Sequence, residues 1–277
     1  MTVSFEDENQ SVLNFNLSAK GRKTATTFFG FCSKHDSKTF SPIENFSYNC
    51  SEQQNFLFTY RAFAYEYHKK LEQIKLFQFL VSKKPSILKD ENYVGYYRGM
   101  QFALKDAQFY YEKFSKALKE LRFDHVQTVS FSIDNYHEFA VCSGFNLEFD
   151  LNGKQINVPN AKSRSAKQIY LNVFPEDGKT HVLLSCLKHD SSTFHPVFEQ
   201  FKSLDSQERL NYLNNLIPMY SENVVLAPRL WQSWNVEAQQ DFIKSFELSI
   251  KSPFFLDFRK DVAQRNTLYN LFNLIAS

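Results

Sequence analysis

The chain has 277 residues, a net charge of +2 and seven glycines, none in a G-x-G-x-x-G or G-x-x-x-x-G-K-[ST] frame, which argues against a P-loop or Rossmann phosphate site. The near-neutral balance argues against a general basic field for coating nucleic acid. No apolar window approaches the length needed to span a bilayer, and the start "MTVSFEDENQ" lacks the basic and apolar regions of a signal peptide. Thirty Phe and fourteen Tyr promise a well-filled core, while four cysteines are too sparse for a disulfide scaffold. The expectation is a soluble, cytoplasmic chain with no membrane partner.

In chain order, residues 1–50 read as a polar arm that includes the basic stretch "KGRKTATT" and ends in a C-x2-H motif. Residues 51–122 read as a long antiparallel helical hairpin. Phe56, Tyr60, Phe63, Tyr67, Leu71, Ile74 and Phe77 recur at spacings of three and four, and Ser51 with Gln54 suits a capping box. Pro85 ends the first helix, and a second aromatic helix follows from "YVGYY". Residues 123–190 switch to period 2, which predicts an antiparallel sheet of four to six strands with tight hairpins at Asn152-Gly153 and Asp177-Gly178. "PNAKSRSAK" between them reads as a basic loop. Residues 191–277 read as a C-terminal helical layer closing with "DVAQRNTLYNLFNLIA". The order predicts a single α+β domain over 1–277.

The sharpest chemical signal is an internal echo. "CSKHDSKTFSP" from Cys32 and "CLKHDSSTFHP" from Cys186 agree at eight of eleven positions. C-x2-H lets a tight turn aim two ligands at one zinc ion, which then needs two more. The set Cys32, His35, Cys186 and His189 would complete a Cys2His2 site. Other sources of the second half are Cys50 with His68, or another chain. Against sharing, Cys186 lies on an alternating strand, where a cysteine is most often a small buried hydrophobe. His189 and Asp190 then open a turn whose following helix a Ser or Thr would cap. His35 beside Asp36 also fits a water-activating histidine in metal-dependent nucleolysis; the plainer reading is a turn, with Asp36 as a cap.

"TFFGFCSKHDSKTFSPIE" followed by "EQQNFLFTYRAFAYEYHKK" resembles, over residues 24–70, a group of largely uncharacterised bacterial proteins. In these a GFC-x-x-HD segment follows a Cys/His-rich stretch of treble-clef or HNH kind. The resemblance implies that Cys32 and His35 form the second half of a zinc site; the candidate catalytic residue remains His35, from its place beside Asp36. No Cys or His precedes Cys32.

Two functional expectations follow. One is a nucleic-acid-associated protein with a partial treble-clef or HNH-like zinc knuckle. The other is a non-enzymatic protein-interaction module in which "CSKHD" is a structural turn. The aromatic-basic stretch "YVGYYRGMQFALKDAQFYYEKF" suits single-strand stacking but more often packs as core, and Arg229, Trp231 and Trp234 could anchor a partner yet more often pack locally.

Overall fold

The structure, a computed structural model, describes residues 2–4, 14–16, 30–157, 166–251 and 259–272. The basic stretch Lys20–Thr27 and most of the "PNAKSRSAK" loop lie outside them. A short antiparallel pair, β1 (Thr2–Ser4) and β2 (Asn14–Asn16), comes first.

The C-x2-H segment is not a turn on a polar arm. It is the opening of a helix, α1, spanning Ser33–Glu44 with Cys32 at the N-cap. Asp36 lies inside the first turn and caps nothing. The helix forms because Phe40 has somewhere to go. Its ring is fully buried, stacks on Tyr60 at 5.9 Å and lies 4.3 Å beneath the Arg61 guanidinium.

α2 spans Glu52–Lys83 and α3 spans Glu91–Lys119. The three-four spacing acts as expected, since Phe63 stacks on Phe114, Tyr67 on Tyr111 and Phe77 on Tyr97, all with centroids within 5.1 Å. Ser51 accepts the Gln54 amide N–H, but Gln54 does not return the bond as a capping box would. Its side chain instead accepts from Asn49 N and donates to the carbonyls of Pro42 and Ser47, binding α1 to the start of α2. The tips are joined by a 3-10 turn, Pro85–Lys89, and Asp90 caps α3.

Five strands form one antiparallel sheet in the order β3-β6-β5-β4-β7. They are β3 (Val126–Ile133), β4 (Phe139–Phe145), β5 (Ile169–Glu176), β6 (Lys179–Leu187) and β7 (Val224–Leu226). The Asp177-Gly178 turn joins β5 to β6 with both residues at positive φ, as a two-residue hairpin requires. Asn152-Gly153 makes a turn but not the expected hairpin. Only Phe149 and Gln155 bridge, and the Asp150 carboxylate holds the loop by accepting from Asn152 N and Lys154 N. β4 pairs with β5 and β7 instead.

The sheet has a core on each face. Tyr170 and Leu187 join the rings of α1, α2 and α3. Ile169, Leu171, Val173, Val182, Leu184 and Cys186 join the C-terminal layer. That layer comprises α4 (Ser191–Ser203), α5 (Ser206–Tyr220), α6 (Pro228–Ser233) and α7 (Val236–Lys251). The expected last helix is corrected: residues 259–272 form a 3-10 turn at Val262–Gln264 and then irregular chain. Two buried asparagines of α5 take the place of helical hydrogen bonds. Asn214 bonds Tyr269 O and Leu271 N, and Asn215 bonds the carbonyls of Val262 and Arg265. The fold class is therefore α+β, as expected, with no helix among the described residues long and apolar enough to cross a membrane.

Candidate metal half-site and the buried second motif

Cys32 and His35 stand three residues apart at the N-cap and first turn of α1, so both side chains leave the helix at the same end. Cys32 Sγ lies 3.1 Å from His35 Nδ1, and both residues are exposed. This is a pair of soft and borderline donors on one helical turn, open to solvent. Two donors are half of what zinc requires in a closed site.

The second motif does not supply the other half. Cys186 is fully buried on β6 among the apolar side chains of the C-terminal layer. Burial, with the Asp190 carboxylate adding to it, pushes its thiol up to about 12, so it is a poor source of thiolate. His189 is exposed in the 3-10 turn after β6, with its ring 5.5 Å from that of Phe109. One side chain points into the core and the other out of it. Among the described residues no three Cys, His, Asp or Glu side chains stand together as a group able to hold an ion. The four-ligand arrangement of Cys32, His35, Cys186 and His189 is thus not assembled, and His68 on α2 does not complete it with Cys50.

Asp190 does the work that spacing did not reveal. Neither Ser nor Thr caps α4; Asp190 occupies the N-cap, but its carboxylate turns away from the helix. Its Oδ2 accepts a 2.6 Å hydrogen bond from the Tyr110 hydroxyl of α3. The same hydroxyl accepts from Gln168 N, and Gln168 Oε1 accepts from the Tyr170 hydroxyl. This buried chain ties the hairpin to the sheet at the start of β5. Burial raises the Asp190 pKa against the opposing effect of the Tyr110 bond. The partner lies 80 residues away in sequence, so no local pattern announces it.

A third polar feature marks the root of the hairpin. Glu66 of α2 is buried over β4, where Gly144 leaves room; a Cβ there would sit 2.8 Å from the Tyr170 ring and 3.6 Å from Glu66 Cγ. Glu66 Oε1 has no hydrogen-bond partner. Burial, then the nearby Glu222 carboxylate, raises its pKa to about 7. Glu222 itself is exposed, and Lys69, bonded to it at 2.8 Å, holds its pKa below the usual range.

A shallow groove of about 590 Å³ runs between the outer half of α2 and the middle of α3, lined by Ile74, Tyr97, Leu104 and Phe109 with several polar neighbours. None of the four sequence-nominated site residues lines it. The aromatic stretch of α3 divides: Tyr110 and Phe114 are core, whereas Tyr93, Tyr96 and Phe102 are more than half exposed. Trp231 and Trp234 pack on Phe242, and Trp234 Nε1 donates to Asn270 O, which is the local-packing reading. Arg229 is held on Glu138 through two hydrogen bonds.

Comparison of the chain with protein-family models, curated proteins and solved structures finds no match.

Proposed function

We propose that the protein is a non-catalytic binding module whose α1 supplies the helical half of a zinc site, Cys32 and His35, with the other two ligands coming from outside the described residues. The observation that carries this is the exposed Cys32–His35 contact of 3.1 Å on a helix whose far end is anchored by buried Phe40. A rigid pair of donors at a helix start loses little conformational entropy when a metal joins it to a second segment. Zinc there would act as a structural clamp. The expected resemblance of residues 24–70 to treble-clef or HNH-like bacterial proteins would imply the same half-site. It does not extend to catalysis, because His35 cannot be at once a zinc ligand and the base that activates water. The reading presumes a reducing, cytoplasmic setting that keeps Cys32 a thiol.

Nucleic-acid association is the second reading. Lys34 and Lys38 are exposed on α1 beside the pair, placing positive charge where a phosphate could approach.

Cobalt titration tests the first reading. Co²⁺ added to the reduced chain should give a thiolate charge-transfer band that disappears in Cys32→Ser and in His35→Ala and persists in Cys186→Ser. A band insensitive to Cys32→Ser, or none at millimolar Co²⁺, contradicts it. Retarded migration of a nucleic-acid probe that is lost in Lys34→Glu/Lys38→Glu would favour the second.

A further inference from the structure

Helix α2 is far longer than its seat on the sheet. Its 32 residues rise about 48 Å. Glu66 packs over Gly144 and Lys69 ties to Glu222, and the helix then runs on with α3 beside it. On this outer part Leu76, Phe79 and Leu80 are 51%, 55% and 41% exposed. Their spacing places them on one side of the helix. Glu72, one turn before Leu76, and Lys83, one turn after Phe79, fall in the same row. The row thus reads acid, apolar, apolar, base, at intervals of four, three and four.

Such a row is complementary to itself when reversed. We propose that it is the contact between two copies of this chain, paired antiparallel about a two-fold axis passing between residues 77 and 78 of α2. An axis there sets Glu72 opposite the partner's Lys83, and Leu76 opposite the partner's Phe79, twice over. Parallel pairing would instead set Glu72 against Glu72 and Lys83 against Lys83. The self-complementary charge order therefore selects both the occupant and its direction.

The groups are available. Glu72 pairs with Lys75 on its own helix at 2.9 Å, an exposed bond worth little. The Lys83 ammonium rests 5.5 Å from the Phe79 ring, at the exposed end of the row. The half-exposed apolar side chains and flanking stems offer roughly 400–500 Å² per copy, below the ~800 Å² per partner of a standard interface. The dimer is therefore weak and dissociates on dilution. A lipid surface is the poorer match, since Lys75, Lys83, Lys84 and Lys89 are nearly balanced by Glu72, Asp90 and Glu91, four charges against three, which leaves little net attraction to anionic headgroups.

Sedimentation equilibrium of the full chain, with reductant present because Cys32 and Cys50 are exposed, tests the pairing. A monomer–dimer equilibrium is expected that Leu76→Glu abolishes, with circular dichroism unchanged. Glu72→Lys and Lys83→Glu should each weaken the dimer roughly five- to tenfold. The double variant E72K/K83E should return it to within about twofold of the starting affinity, because the reversed pairs attract again. A chain that stays monomeric at millimolar concentration, a dimer indifferent to Leu76→Glu, or a double variant no tighter than the single ones overturns the proposal. So does a monomer that binds phosphatidylserine vesicles through Leu76, which would assign the row to a lipid surface.

Discussion

Cys32 and Cys186 open nearly the same eleven residues, yet the two copies have opposite fates. In the first copy "CSKHD" is the exposed start of α1, and Cys32 meets His35 in solvent. In the second, "CLKHD" finishes the interior strand β6 and turns into α4, with Cys186 and Asp190 buried. The helix begins one residue after the cysteine in the first and five residues after it in the second. The aligned Phe40 and Phe194 do behave alike, both fully buried, and the aligned lysines and histidines are exposed in both copies. Composition of a short motif therefore does not fix its role. What decides is whether the preceding chain is a sheet strand, which alternates its side chains inward, or an uncovered helix start.

The sharpest way to break this contrast is at the two aspartates. Asp190→Ala removes the acceptor of a buried Tyr110 hydroxyl and should cost about 2–4 kcal/mol in urea unfolding. Asp36→Ala should stay within about 0.5 kcal/mol, as surface changes do. Equal effects would mean that the copies are not structurally distinct.

Buried acids without a full set of partners should show in the pH dependence. The folded pKa of Glu66, about 7, lies above its ordinary carboxylate value, so the folded state binds the proton more tightly than the unfolded chain does. Its favourable contribution is complete below the ordinary carboxylate value and is lost as pH rises through about 7. Glu66→Gln should accordingly gain roughly 1–3 kcal/mol at pH 8 and nothing at pH 4. Asp190, raised in the same direction, contributes with the same sign. A wild-type stability that is flat from pH 4 to pH 8, or a Glu66→Gln chain that is less stable at pH 8, would show that Glu66 is held ionised at no cost.

A smaller effect is expected at the cysteines. Cys186→Ser places a hydroxyl in an apolar core and should cost about 1–3 kcal/mol, whereas Cys32→Ser should be nearly neutral without metal.

Much of the fold was legible because it is local. Rings three and four apart announced α2 and α3, and Asp177-Gly178 announced the β5–β6 turn. α1 was hidden because "SKHDSKTFSPIE" has no side-chain cap and carries Pro42 within it; only the burial of Phe40 under Arg61 makes the helix worthwhile. The final segment misled for the opposite reason. Its leucines and phenylalanines recur at helical intervals, but Asn214 and Asn215 hold its backbone in a non-helical path. At the site, Cys32 and His35 could be nominated from their spacing alone. The alternating strand already pointed to a buried Cys186 and a turn at His189, but Asp190 could not be paired with Tyr110, which lies 80 residues away in sequence.

The central claim is that the exposed copy takes up metal and the buried copy does not. Mass-mapped alkylation of the four free thiols, with and without zinc, tests it most directly. Without zinc, Cys32 and Cys50 should label fast, while Cys142 and Cys186, whose thiols burial pushes up to about 12, should label only on unfolding. With zinc, labelling of Cys32 alone should slow, and His35→Ala should remove that protection. Zinc protection that falls equally on Cys50, or that survives His35→Ala, would contradict the assignment of the half-site to α1.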